Sequence, residues 1–256
     1  MAALQFHIFP YMSDNYGVLI HEPDTGRTAC VDAGEDAAVM GALAEKGWTL
    51  TDLFITHHHW DHTDGLLSVK EKTGCTVWGP KHQSTAINGL DHLLEEGDQF
   101  DFAGHSVSVL QTPGHTTDMI NFHFADDGVI FTGDTLFSLG CGRIFEGTPA
   151  MMWDSLSKFL SLPPETTVYS SHEYTLANAN FALTVDPENE KLKQRAADVA
   201  RKRENGEFTV PSTLKEELET NPFLRAADPA IRRHLGIETA TDAEVFAEIR
   251  KRKDDA

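Results

Sequence analysis

The stretch Thr56-His57-His58-His59-Trp60-Asp61-His62 constrains this chain more than any other feature of it. It directly follows the strand-like run Asp52-Leu53-Phe54-Ile55. Strand alternation puts His57 and His59 on one side, and Asp61 and His62 follow as the chain turns toward a helix. An exposed polar loop would account for His58 or Trp60 alone. The HxHxDH set is different, because its imidazoles and carboxylate are costly to bury or align unless a cation holds them. Neutral imidazole and carboxylate oxygen suit zinc, and iron and manganese accept them too.

Three more candidates follow β-type runs. His115 lies in Pro113-Gly114-His115-Thr116, after Val107–Gln111; Asp134 lies in Thr132-Gly133-Asp134-Thr135; His172 lies in Ser171-His172-Glu173-Tyr174, after Thr167–Ser170. Open α/β folds place their ligand crevice just past the ends of such strands. Singly, each is as well explained as a satisfied core histidine or a turn aspartate. Together with the first motif they make five His and two Asp, more than one four-coordinate metal with an open position can use. Two metals sharing Asp134 use them all. One takes His57, His59, His115 and Asp134; the other takes Asp61, His62, Asp134 and His172. Metal coordination lowers the pKa of water from about 15.7 to about 7, so a site of this kind is hydrolytic.

The rest of the chain supports a large folded enzyme. Short β-type runs recur at Gly17–His21, Leu53–Thr56, Thr76–Trp78, Val107–Gln111, Val129–Thr132 and Thr167–Ser170, with helical stretches at Glu35–Lys46 and Met151–Leu160. After about residue 174 the pattern is helical. Asp186 followed by Pro187 predicts a helix running to Gly206, and Thr213/Glu216 and Thr241/Glu244 have capping-box spacing. The expected fold class is therefore α/β, with a mixed domain over 1–174 and a smaller helical domain over 175–256. Charge shifts at the same place: 7 basic against 24 acidic residues through Tyr174, then 14 against 16. With 15 Phe and 40% apolar residues, disorder is excluded. A net charge of −19 argues against nucleic-acid partners, whose recognition needs clustered Lys and Arg. Cys30, Cys75 and Cys141 are odd in number and widely spaced, which suits a reducing compartment. Neither a signal peptide nor a membrane span is visible, so the expectation is a cytoplasmic protein, taken as a monomer although no exposed apolar stripe fixes its oligomeric state.

The metal motif resembles the metallo-β-lactamase superfamily, which implies an αββα sandwich with a dinuclear site at one edge. Over nearly the whole chain the sequence resembles the glyoxalase II (hydroxyacylglutathione hydrolase) family. The resemblance rests on Asp14-Asn15-Tyr16, Gly133-Asp134-Thr135-Leu136-Phe137, Gly140-Cys141-Gly142-Arg143, His172-Glu173-Tyr174-Thr175, Val210-Pro211-Ser212-Thr213-Leu214 and Asn221-Pro222-Phe223-Leu224-Arg225. It implies hydrolysis of S-D-lactoylglutathione to glutathione and D-lactate, with Asp61 and Asp134 as the catalytic carboxylates.

It also implies a glutathione site. Arg250 and Lys253, three apart on one helix face, match the family's contact for the glycine carboxylate. Tyr174 and Asn178 match positions that hydrogen-bond the peptide backbone, and Arg143 adds charge. Phe145 and Asn180 depart from the family pattern, which often has Tyr and a basic residue there. Cys141 is expected to pack rather than attack, since nothing beside it in sequence would activate it. Two other enzyme readings share the motif: a phosphodiesterase, which needs a basic surface, and a glutathione persulfide dioxygenase, which needs one iron. A metal-stabilised binding protein is the non-enzyme reading, and it predicts loss of stability without turnover on chelation.

Overall fold

In the computed structural model, which describes residues 2–81 and 87–256, the chain begins with a hairpin. Strands β1 (Gln5–Tyr11) and β2 (Asn15–Glu22) pair antiparallel from Gln5↔His21 to Tyr11↔Asn15. Pro10 has no amide proton to give a neighbour, and β1 tolerates it as an edge strand. β3 (Arg27–Val31) pairs antiparallel to β2. Helix α1 (Asp36–Lys46) then crosses over to β4 (Asp52–Phe54), and α2 (Trp60–Thr63) with α3 (Leu66–Thr73) leads to β5 (Thr76–Pro80). β3, β4 and β5 are parallel, as the helical crossovers between them allow, and β6 (His92–Leu94) pairs parallel to β5. β7 (Gln99–Phe102), β8 (His105–Gln111), β9 (Ile120–Phe124) and β10 (Val129–Gly133) form an antiparallel succession.

Alternation along β4 builds two cores. Leu53 and Ile55 join Leu19, Cys30 and Val77 against Val39 and Leu43 of α1 and Leu66 and Val69 of α3. Phe54 points the other way and stacks on Phe122 of β9 at 5.1 Å, with Phe102 edge-on at 5.7 Å. All three rings are fully buried, each contributing about 1.5–3 kcal/mol of apolar burial. These elements make up the first of two compact units, Met1–Gln111 with Asp118–Gly133.

The second unit comprises Thr112–Thr117 with Asp134–Ala256. A ribbon of β11 (Leu136–Phe137) and β12 (Gly140–Cys141) precedes α4 (Pro149–Ser157), which Thr148 caps. Next come β13 (Thr167–Ser170), α5 (Thr175–Val185), α6 (Glu190–Glu204), β14 (Ser212–Thr213), α7 (Leu214–Thr220), α8 (Pro229–Leu235) and α9 (Asp242–Asp254). Both expected capping boxes are present, at Thr213/Glu216 and Thr241/Glu244. The expected start of α6 is not. Asn189 is its cap, accepting from the Leu192 amide at 3.2 Å, while Asp186 closes α5 and pairs with Arg225. Among the described residues no helix is long and apolar enough to cross a membrane.

Side chains of the C-terminal segments hold the β11–β12 ribbon. Asn221 Nδ2 donates to the carbonyls of Phe137 and Gly140 at 3.2 and 2.9 Å, and the Leu139 amide donates to Glu217 at 2.9 Å. Arg195 neutralises the fully buried Glu217. Ala179, Ala182, Leu192, Ala196 and Val199 pack around Leu139.

Candidate metal centre

In the first unit the chain leaves β4 through Ile55 and Thr56 and gathers four of the candidate ligands. The His57 ring centroid lies 4.7 Å from that of His59 and 4.1 Å from that of His62. His62 Nε2 is 3.3 Å from Asp61 Oδ2. His57 and His62 are fully buried. His58 turns aside and pairs through Nδ1 with the buried Asp118 at 2.9 Å, which leaves it a structural role.

Asp32, just past the end of β3, organises this cluster. Its carboxylate accepts from the Thr56 amide at 2.8 Å, from Thr56 Oγ1 at 2.9 Å and from His62 Nδ1 at 2.8 Å. Because the Thr56 hydroxyl donates to Asp32, it accepts from His57 Nδ1, 2.9 Å away. Both rings therefore carry their proton on Nδ1 and aim the Nε2 lone pair elsewhere, as metal-ligating histidines do. Asp32 sits at φ +59°, a left-handed conformation that aspartate adopts more readily than most residues. Beside it the backbone makes a close approach: a Cβ on Gly34 would lie 1.8 Å from the Asp61 carbonyl oxygen, so only glycine fits. Asn15 Nδ2 donates to Asp61 Oδ2 at 3.0 Å and Tyr11 OH to the Asp61 carbonyl at 3.1 Å, which fixes that carboxylate.

In the second unit Asp134 lies between two imidazoles. Its Oδ2 is 3.3 Å from His115 Nε2 and 3.3 Å from His172 Nε2, and all three residues are buried. His115 Nδ1 is 2.8 Å from the Arg143 carbonyl, which can only accept, so the proton is on Nδ1. His172 stacks on Tyr174 at 4.8 Å and nearly parallel, with Phe137 edge-on. Gly142 is required here too, since a Cβ would stand 2.0 Å from the Asp134 carbonyl.

These tautomers bring acceptors face to face. The Nε2 lone pair of His115 points at a carboxylate oxygen of Asp134, and that of His62 at one of Asp61. While the rings are neutral both partners are acceptors, and a shared cation is what draws them together. With one they are ordinary coordination by borderline ligands, so the donor set fits a divalent metal.

The candidate substrate residues divide by exposure. Arg143 and Tyr174 reach solvent, and Lys253 is half-buried with Nζ 3.3 Å from the Ala177 carbonyl. Burial, then the nearby Arg250 and Arg143 guanidinia, hold the Lys253 amine below the usual lysine range. Arg250 itself is buried, donating to the Cys141 carbonyl at 3.1 Å and to Asp254 at 2.8 Å, over the Phe223 ring. Asn178 is buried and donates to the Ser138 carbonyl at 3.1 Å. Burial, partly offset by Arg250, pushes the Cys141 thiol up to about 11. That leaves almost no thiolate at neutral pH.

The sequence reading missed Asp32, Thr56 and the part played by Asn15. One signal could have found Asp32: an aspartate closing an apolar strand, in Val31-Asp32-Ala33-Gly34, as Asp134 closes another.

Comparison with known families defines first the class. The metallo-β-lactamase superfamily model matches residues 15–172, and the model for the hydroxyacylglutathione hydrolase C-terminus matches residues 173–256. A hydroxyacylglutathione hydrolase of Rhizobium etli is 56% identical over 254 residues, 99% of each chain. One of Brucella anthropi is 51% identical over 98% of this chain and 96% of its own. Among solved structures, ETHE1 from Myxococcus xanthus superposes with a TM-score of 0.68 at 26% identity, over 96% of this chain and 90% of its own. The chain belongs to the hydroxyacylglutathione hydrolase family of the metallo-β-lactamase superfamily; its mixed α/β fold is that of the superfamily, and its C-terminal helical segment is the one that the family model describes. Superfamily membership, together with the His and Asp groups gathered in each unit, implies a dinuclear metal site.

Proposed function

We propose that this chain hydrolyses S-D-lactoylglutathione to glutathione and D-lactate at a dinuclear centre. The observation that carries the reading is Asp134, one carboxylate oxygen flanked by two imidazole nitrogens at 3.3 Å, as a ligand shared by two cations would be. His57, His59, His115 and Asp134 would hold one metal, zinc before iron or manganese; Asp61, His62, Asp134 and His172 would hold the other. When bound, the metals would supply an acidified water and a Lewis acid for the thioester carbonyl.

The protein's own groups do the rest. Asn15 keeps the Asp61 carboxylate turned to its ligand position, and Asp32 sets the tautomers behind His57 and His62. Hydrolysis forms a carbon–oxygen bond and breaks the carbon–sulfur bond. The departing thiolate needs little help from a proton donor, because thiols ionise near pH 8.5. Arg143 and Lys253 offset the −19 charge where anionic glutathione binds, with Tyr174 alongside. Arg250, Asn178 and Tyr174 complete the glutathione site, the first two by shaping its backbone walls. Residues 1–174 form the catalytic domain and 175–256 the substrate domain of a monomeric cytoplasmic enzyme.

The test is the initial rate of S-D-lactoylglutathione hydrolysis, followed by loss of thioester absorbance, with metals counted on the same sample. Turnover abolished by chelator and restored by metal supports the reading. A metal-loaded protein that leaves the thioester intact refutes it.

A further inference from the structure

Two large apolar side chains stand in solvent on the segments that carry and hold Asp61 in the first unit. Trp60 immediately precedes it and is 63% exposed. Met12, 40% exposed, occupies the three-residue loop between Tyr11 and Asn15, which pair as the last rung of the β1–β2 hairpin. Tyr11 and Asn15 are the residues that donate to Asp61, so the loop between them is anchored beside that carboxylate.

Met12 is also held against its own preference. Its φ is +50°, a left-handed conformation unfavourable for a side chain of this kind. The other non-glycine residues at positive φ are Asp32, which organises the histidines, and the buried Ala103 and Leu139. Met12 alone among the described residues combines left-handed strain with an exposed apolar side chain. Its amide donates to Glu35 at 3.2 Å, which ties the loop in place. Local backbone strain of this sort is retained where the surroundings over-determine it, characteristically at functional sites.

We infer that Met12 and Trp60 determine acyl-group specificity, giving this chain a preference for thioesters whose acyl group carries an apolar, ring-sized substituent. The inference rests on the thioesterase reading above. Because the Met12 loop is tethered to Asp61 and Trp60 is its chain neighbour, an acyl group reacting beside Asp61 would have these two side chains within reach of its substituent. Trp60 offers a flat face and Met12 a flexible thioether, a pairing that suits an aromatic substituent. A lactoyl methyl group is too small to cover either. Apolar contacts that a substrate covers discriminate by about 10- to 200-fold per methylene in hydrophobic pockets, which sets the upper range for such a pair.

The experiment compares kcat/KM for S-D-lactoylglutathione with that for the glutathione thioester bearing phenyl in place of the lactoyl methyl. Parent, Trp60→Ala and Met12→Gly are measured with metal content and thermal midpoint on each sample. The expected result is a fall of about tenfold in the phenyl-to-methyl ratio for Trp60→Ala. Met12→Gly should lower the ratio in the same direction while raising the thermal midpoint, because glycine relieves the left-handed strain. A ratio unchanged within twofold in both variants, with the metals retained, overturns the inference and leaves the thioesterase reading standing. A parent protein that hydrolyses neither thioester overturns both.

Discussion

The Asp32→Asn substitution isolates the claim that a carboxylate outside the ligand set governs the metal centre. Asparagine fits the same space but replaces one acceptor oxygen with an NH2 donor. In one orientation the amide nitrogen takes the place of Oδ2 and faces both Thr56 Oγ1 and His62 Nδ1. His62 must then accept at Nδ1, which moves its proton to Nε2 and removes the lone pair aimed past Asp61. In the other orientation the NH2 confronts the Thr56 amide, 2.8 Å from Oδ1, donor against donor. Loss of such a supporting partner typically costs 10- to 100-fold in metal affinity, about 1.4–2.7 kcal/mol. The assay is competitive titration with a metal buffer on parent and variant, with circular dichroism and thermal unfolding to show that the fold persists. The expected result is one site weakened by about 10- to 100-fold, with turnover falling in step. Two sites bound within threefold of the parent, in a folded variant, would refute the tautomer reasoning.

Other expectations follow from the substrate side and from titration. Lys253→Ala should raise KM for glutathione thioesters more than it lowers kcat, whereas Arg250→Ala should also lower the thermal midpoint, since it leaves a buried carbonyl without its donor. A larger effect on kcat than on KM for Lys253→Ala would remove it as a remote contact. Cys141, its thiol raised to about 11, should resist alkylation at pH 8 in the folded protein and react on unfolding. Rapid labelling of the native chain would contradict its burial. Hydrogen bonds from Lys72, then Ser68, pull the Asp36 carboxyl from 3.8 down to about 2. The folded value lies below the unfolded one, so the stabilisation is complete above pH 3.8 and lost as pH falls toward 2. Asp36→Asn should accordingly be less stable than parent at pH 6, with the gap closing over that window; a gap constant down to pH 2 would disprove the linkage.

The sequence made some of this legible and hid the rest for physical reasons. The candidate ligands of HxHxDH are contiguous, so their chemistry shows in a single window. Asp32 acts on Thr56 and His62 across 24 and 30 residues, a proximity created only by parallel pairing of β3 with β4. Capping boxes are local, and both were readable; the choice of Asn189 over Asp186 was not, because Arg225, far along the chain, engages Asp186. β9 is buried throughout despite Asn121 and His123, so its alternating polar residues disguise an interior strand. Arg250 reads as a surface charge on an exposed helix end. Cys141 and Phe223 show why it is not: it is drawn into the core by a carbonyl and a ring.

The most direct test of the centre is the metal content of Asp134→Ala, measured by elemental analysis beside the parent and paired with thioester turnover. If Asp134 is shared, its removal takes ligands from both metals, and the variant should lose metal and activity together while the parent carries two metals per chain. A folded Asp134→Ala protein that keeps both metals would show that this carboxylate is not the bridge.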